Sequence, residues 1–500
     1  MSKLSGFYLK FSEVIDVAAN ERLQGVARAL LAQNIQGISD VVPSYTKLYI
    51  EYDREKLSEV SLRKHLKDLA KNFVELKGGQ THHIPVHYDG EDLARVAEHH
   101  ALSIAEVIKL HCDNQYHVFA LGFTAGFPFM GLCPEAIATP RHATPRLQVP
   151  AHSVAIANRQ AGIYPSQSPG GWNLLGHSLV NIYDPTREKS FLLEAGDKVH
   201  FYPAQGDTPP ESNPLKLLPS VSQYPALRLL KKGLLDIVVD GGRFLAGRYG
   251  LVRSGFLDIQ SASLANRLLG NPWDSPLIEM HYQGPKFEAL KDVTVAFSGY
   301  GMKPFVNGQE TPAFSSFSLK CGDRLTFKPM GKGKTAYLAL AGGIESARFM
   351  GSASTDLKGK LGLALAEGDM LGQAWPKIVL AGRSFQPYHL LSRVQILRVE
   401  ANPERLDLAK ALCQQSFDIG EADRMGVRLQ GEPLAGGETI SEATMLGAVQ
   451  VPPSGLPLIL LHDRGTLGGY QRAATLIPED LPKAAQLHPG MKVKFKLYKT

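Results

Sequence analysis

Apolar positions in the first part of the chain repeat with a helical period. Leu23, Val26, Ala27, Leu30 and Leu31 fall at i, i+3, i+4, i+7 and i+8, and Asn20 stands where an N-cap is needed. A second face of the same kind, Leu62, Leu66, Leu69, Ala70 and Phe73, predicts another helix. Alternating stretches at 7–11 and 47–52 predict strands. The order strand, helix, strand, helix over residues 1–80 predicts a small ferredoxin-like domain that ends at Gly78-Gly79. Two helical stretches follow His83, the second opening on a capping box, Ser103-x-x-Glu106. From Tyr116 to Phe201 the pattern becomes short apolar runs cut by Pro and Gly, the texture of a barrel or sandwich, so 81–205 is expected to be one β-rich domain. The polar, Pro-containing stretch 205–212 introduces a linker assigned to 206–232. A second large unit follows, with barrel-like halves at 233–390 and 391–500. The expected fold class is α+β, predominantly β.

The β-rich pattern repeats. Val149-Pro150, Gly170-Gly171-Trp172 and Gly196-Asp197-Lys198-Val199-His200-Phe201 recur in the same order as Val451-Pro452, Gly468-Gly469-Tyr470 and Gly490-Met491-Lys492-Val493-Lys494-Phe495. A related turn and strand, Gly322-Asp323-Arg324-Leu325-Thr326-Phe327, stands between them.

Composition narrows the function classes. A chain of 500 residues with 44% hydrophobic and 20% charged residues needs several cores and should fold throughout. The net charge of +6 is spread without a dense basic run, so no nucleic-acid partner is expected. Cys112, Cys133, Cys321 and Cys413 stand far apart, the N-terminus lacks a signal-peptide layout, and no apolar run approaches the roughly 20 residues needed to span a bilayer. A cytoplasmic protein without a membrane partner is expected.

Several motifs lose their first interest on inspection. Gly331-Lys332-Gly333-Lys334-Thr335 resembles the end of a P-loop, but Lys328 occupies the place of the first glycine and a strand-like run follows. Met302-Lys303 and Met491-Lys492 lack the setting of a biotinylated lysine. His82, His83, His87 and Glu98-His99-His100 show no zinc spacing, so no metal site is expected, and no G-x-S-x-G elbow occurs. More informative is Gly122-Phe123-Thr124-Ala125-Gly126-Phe127-Pro128-Phe129-Met130-Gly131, followed by Pro140-Arg141 and Thr144-Pro145-Arg146. Glycines there permit close backbone approach, and arginines on Pro-flanked loops suit carboxylate or phosphate. The loop from Gly162 through Tyr164 to Gly170-Gly171-Trp172 reads equally as a source of backbone donors or as a structural Ω-loop.

Together with Val154-Ala155-Ile156-Ala157 and the Gly196–Phe201 motif, these residues make positions 1–205 resemble the B component of bacterial ATP-dependent 5-oxoprolinase, the Kip-type kinase-inhibitor family. Positions 233–500 resemble the C component and the carboxyltransferase region of urea carboxylases. The motifs are Asp240-Gly241-Gly242-Arg243, Ser254-Gly255-x-x-Asp258, Ala265-Asn266-x-Leu268-x-Gly270-Asn271, Ala341-Gly342-Gly343-Ile344, Gly351-Ser352-x-Ser354-Thr355, Asp423-Arg424-Met425-Gly426-x-Arg428-Leu429 and Gly468-Gly469-Tyr470. The chain resembles a natural fusion of B and C.

The resemblance implies cyclophilin-like barrels, a separate A-type 5-oxoprolinase component as partner, ATP with Mg2+, and a small cyclic amide substrate, 5-oxoproline, cleaved to glutamate. A homo-oligomer is compatible with it. Opening a stable lactam through phosphorylation of its amide oxygen requires cationic clamps, N–H donors and a carboxylate. Arg141, Arg146, Arg243, Arg424 and Arg428 are the clamp candidates. Tyr164, Gly170, Gly171, Trp172, Asn266, Thr466, Gly468, Gly469 and Tyr470 are the other binding candidates, and Asp240, Asp258 and Asp463 the catalytic carboxylates. Ala125, His152, Val239 and Gly465-Thr466-Leu467 depart from the family pattern and remove polar groups a substrate could use. Competing readings are carboxyl transfer to a urea-type amide and regulation of a sensor histidine kinase.

Overall fold

The computed structural model describes residues 4–71, 79–387 and 391–498. Phe73 and Gly78 lie outside them. The N-terminal unit is a three-stranded antiparallel sheet in which Lys47–Asp53 runs between Leu4–Lys10 and Ile38–Pro43, with helices Val17–Ala32 and Glu59–Lys71. Leu23, Val26, Ala27, Leu30, Leu62 and Leu66 form its core with Ile50 and Leu48. The strand Ile38–Pro43 was not expected. A complete ferredoxin-like sandwich would hold a fourth strand, but the next described one, Thr81–His87, leaves for the following barrel. The first helix starts a turn earlier than expected: Asp16 caps it, accepting from Ala19 N at 2.7 Å. Asn20 instead lies buried inside the helix and donates Nδ2 to Ser44 O at 2.8 Å.

The next unit is a closed seven-stranded barrel. Its circuit runs Thr81–His87, Lys198–Pro203, Gln115–Leu121, Pro128–Gly131, Gln160–Ile163, Ser153–Ala157, Asn173–Ser178 and back to Thr81–His87. One pair in the ring is parallel, with Ile84 opposite Phe201. Alternate residues, among them Ile84, Val86, Val118, Val154, Ile156 and Val199, fill the interior. The capping box at Ser103 forms as expected and opens the helix Ile104–Cys112.

The C-terminal unit repeats that circuit strand for strand: Val394–Ala401, Lys492–Leu497, Ser416–Ala422, Gly426–Gln430, Leu458–Leu460, Ala448–Val451, Leu467–Leu476 and back to Val394–Ala401. Its parallel pair sets Leu397 opposite Phe495. Two of the three sequence anchors occupy equivalent places. Gly196 (φ +94°) and Gly490 (φ +93°) turn into the parallel strand, while Gly170 lies just ahead of the return strand and Gly468 at its start, paired with Arg146 and Glu442. The Val-Pro anchors do not correspond. Val149 ends the strand Arg146–Val149 outside the barrel, whereas Val451 ends a strand of the barrel itself.

Between the barrels lies a sandwich rather than a third barrel. A six-stranded sheet that includes Lys286–Ala289 and Arg324–Pro329 packs on a five-stranded sheet that includes Leu277–His281 and Thr335–Leu340. The outer face of the latter is covered by the helix Ile259–Leu268. The expected linker is partly structured, since Pro225–Lys231 is a strand of the six-stranded sheet. No described helix is long and apolar enough to cross a membrane.

Candidate functional site

The segment 250–258 touches every unit of the molecule in turn. Gly250 (φ +77°) approaches the first barrel so closely that a Cβ would overlap the Thr124 carbonyl, and only glycine combines that φ with that approach. Buried Arg253 pairs with Glu51 on the central strand of the N-terminal sheet. Ser254 (φ +52°) and Gly255 (φ +75°) turn the chain through the left-handed region, and Gly255 O accepts from Arg424 Nη2 of the C-terminal barrel at 2.9 Å. Leu257 N donates to Glu279 Oε2 at 2.9 Å. Asp258 caps the helix Ile259–Leu268, accepting from Ser261 N at 3.1 Å and Ser261 Oγ at 2.7 Å. A serine held at positive φ costs on the order of 1 kcal/mol, and such strain gathers where neighbours fix the backbone for a purpose.

Facing this segment is the loop 462–466 of the C-terminal barrel. Arg424 grips both oxygens of Asp463, Nε at 2.8 Å and Nη2 at 3.0 Å, and its Nη1 meets Glu279. Glu279 also accepts from Tyr337 Oη at 2.8 Å and contacts His281 Nε2 at 2.8 Å. Burial pushes the Glu279 carboxyl up, but Arg424 and His281 outweigh it and hold the group well below its usual range. Nearby Lys334 is fully buried and donates Nζ to Asp423 O at 3.0 Å; burial pushes its ammonium down to about 8.

Beside this saturated network stand donors with nothing to donate to. Arg253 Nε and Nη1, Ser254 Oγ, Thr124 Oγ1 and Thr466 Oγ1 are buried and unpartnered among the described residues, and so is His462 Nδ1, a donor or an acceptor according to its tautomer. Arg464 donates only to the Thr444 carbonyl, at 3.2 Å from Nε and 3.1 Å from Nη2, and meets no carboxylate among the described residues. Of the acids nearby, Glu51 is paired with Arg253, and burial pushes the Asp40 carboxyl up to about 6 against the pull of Arg253. Burial, helped by Arg424, Arg253 and Arg464, pushes His462 down to about 3, so its imidazole is neutral. Each buried donor left unsatisfied costs about 1–3 kcal/mol. A cluster of them around two guanidiniums suits an anion, and a carboxylate best, because its two oxygens match the guanidinium fork.

The residues singled out in the sequence do not assemble into one clamp. Exposed Arg141 pairs with Glu438, and exposed Arg428 lies 3.3 Å from Glu421. Arg146 holds both oxygens of Asp92, at 2.8 and 2.9 Å. Buried Arg243 donates to backbone carbonyls, Phe349 O at 3.3 Å and Ser354 O at 3.0 Å. Asp240 is occupied by Ser352 Oγ and Ser354 Oγ, each at 2.6 Å, and by Ala353 N at 2.7 Å. Asn266 ties down Ser275 O at 2.8 Å. Asp258 is a helix cap and Asp463 the partner of Arg424. Of the fourteen expected binding residues and three expected carboxylates, Thr466, Arg424, Asp258 and Asp463 border the junction.

The Gly-Gly loops do not form anion nests, since none of Gly170, Gly171, Gly468 and Gly469 adopts positive φ. Gly170 is required by packing, because a Cβ would overlap the Tyr164 hydroxyl. Trp172 packs edge-on against Phe127, and Tyr470 is partly exposed. Arg253, His462 and Arg464 were missed. Each adjoins a motif residue that was named, and that adjacency is the one local signal they carry. The P-loop look-alike joins two strands and its Lys334 is buried, so it does not fit a triphosphate.

Two related halves in one chain, meeting at a shared junction, define the class of this protein. The chain belongs to the carboxyltransferase-domain family: the carboxyltransferase domain, subdomain C and D, matches residues 2–193, and subdomain A and B matches residues 249–497. The first half is similar to the B component of 5-oxoprolinase from Escherichia coli O157:H7, 50% identical over 24% of this chain and 56% of that protein. The second is similar to the C component of 5-oxoprolinase from Escherichia coli K12, 32% identical over 54% of this chain and 90% of that protein. The crystal structure of TTHA0988 matches with a TM-score of 0.95 and 48% identity, covering 99% of this chain and 100% of that one.

Proposed function

We propose that the chain is the fused B–C component of an ATP-dependent 5-oxoprolinase, acting on 5-oxoproline or a related cyclic amide with a separate A-type component. The observation that carries this reading is the cluster of unspent donors at the junction, Arg253, Ser254, Thr124 and Thr466, beside Arg464, which meets no carboxylate among the described residues. In this assignment Arg464 and the free edge of Arg253 hold the substrate carboxylate, while the hydroxyls and neutral His462 orient the lactam. The Arg424–Asp463–Glu279 network keeps the 462–466 loop in place. ATP with Mg2+ supplies the activation of the amide oxygen. The strand-to-strand turn at Gly331–Thr335, with Lys334 committed to the Asp423 carbonyl, supports delivery of ATP with the A-type component.

The test is turnover by the full chain mixed with an A-type component. Glutamate and ADP should appear together from 5-oxoproline, and 2-pyrrolidinone, the same lactam without a carboxylate, should be a far poorer substrate. Arg464→Met should lower kcat/KM for 5-oxoproline about 100-fold, or ~3 kcal/mol, and abolish the preference over 2-pyrrolidinone. No ADP-coupled turnover of any cyclic amide would refute the proposal. The family's carboxyltransferase description favours a second reading, carboxyl transfer to a urea-type amide, which biotin-independent turnover would oppose.

A further inference from the structure

Two histidines and an aspartate on the outside of the first barrel take no part in the junction. His87 ends the strand Thr81–His87, and His177 lies directly opposite it on Asn173–Ser178. Ile84 and Val86 point into the barrel core, so strand alternation turns His87 outward. The two rings are 5.1 Å apart. Asp89 follows two residues after His87, and ligand atoms of all three side chains lie within 4.8 Å of one another.

A hydrogen bond fixes which nitrogen of His87 is free. His87 Nδ1 lies 3.1 Å from Gly206 O, which only accepts, so Nδ1 carries the proton and Nε2 the lone pair. His177 Nδ1 lies 2.8 Å from Asp89 Oδ1. His87, with Nδ1–H anchored on a carbonyl and Nε2 open, is set up as a metal ligand, while His177 Nδ1 and Asp89 Oδ1 stand close enough for one ion to reach both in place of the proton between them.

We propose that His87, His177 and Asp89 form a site for a borderline transition-metal ion of the Zn2+ class. Two imidazoles and a carboxylate select such an ion over Mg2+ or Ca2+, which take oxygen ligands, and exposed Asp89 leaves room for water in the fourth position. The sequence hides the site because a barrel strand, rather than a local motif, brings the third donor alongside. Through Gly206 the site also grips the start of the connector between the two halves, which gives the metal a structural role.

The test is calorimetric titration of the metal-free full chain with Zn2+, alone and with excess Mg2+. One Zn2+ per chain should bind saturably and undisturbed by Mg2+. His177→Ala and His87→Ala should abolish binding, and Asp89→Asn should weaken it about tenfold or more. His83→Ala, which alters the separate His83–His200 stack at 5.4 Å, should leave it unchanged. Circular dichroism should show every variant folded. No saturable binding, or binding undiminished in His177→Ala, overturns the proposal.

Discussion

At the scale of single residues, the junction is governed by which charges have found partners. Arg424 and Arg253 are both buried guanidiniums, yet the first meets two carboxylates and the second keeps two N–H groups unspent. No local feature of the sequence separates them. The partners lie 145 and 39 positions away for Arg424 and 202 for Arg253. Pro-flanked arginines and motif positions could therefore be named, but their roles could not. Lys334 offers a direct test of how far burial controls charge here. Its ammonium is pushed down to about 8, against an ordinary value of about 10.4. Below pH 8 both folded and unfolded chains hold the proton, and the folded chain bears the full penalty of burying it. Between those values the unfolded chain holds a proton the folded one lacks, so stability rises with pH. Denaturation followed from pH 7 to 9.5 should show resistance to urea rising above pH 8. The rise should be lost in Lys334→Met, which should also be more stable than the parent at pH 7. A rise of equal size in the variant would show that another group is responsible.

At the scale of elements, short apolar runs cut by Pro and Gly made the β-rich texture of the barrels legible, and with it two of the three repeat anchors. Closure was not legible, because it depends on pairing strands far apart, such as Val394–Ala401 with Lys492–Leu497. The Val-Pro coincidence misled for a related reason: similar short strings close different strands, and only register distinguishes them. The contact between barrels shows how specific such packing is. A Cβ on Gly122 would overlap the Leu467 side chain, which occupies a place where the family pattern has a polar residue. The apolar change thus adds to a shared core containing Val42, Tyr49, Ala120, Ala443 and Leu467. Gly122→Ala should destabilise by about 1–3 kcal/mol through overpacking. Leu467→Ala should cost about 2–5 kcal/mol through the space it leaves. Because the new methyl enters that space, the double variant should be less destabilised than the sum of the two by more than about 1 kcal/mol. Strict additivity in the double-mutant cycle would mean that the two residues do not touch.

At the scale of the molecule, the two halves are joined by far more than their connector. Tyr8 Oη donates to Ala443 O at 2.6 Å, Leu245 N to Ser39 O at 3.0 Å, and Gly126 N to Tyr249 O at 2.8 Å. Ion pairs cross the same boundary, some exposed, as Arg141–Glu438, and one buried, Arg253–Glu51. These differ in their response to salt. At about 1 M the screening length falls to about 3 Å, which removes most of the attraction between exposed charges but little of that between buried ones. Asp207 and Thr208 are exposed, so a protease site inserted there should be cut without unfolding either half. The nicked protein should elute as a single species both at physiological salt and at 1 M NaCl, held by the apolar core and the buried pair. Glu51→Gln removes the partner of Arg253 at a cost of about 3–5 kcal/mol, so in that variant the nicked halves should separate, and most readily at 1 M NaCl. If the parent halves part at physiological salt, the junction is held by the covalent connector. A site built from both halves would then need the fusion itself to keep Arg253 and Arg464 together.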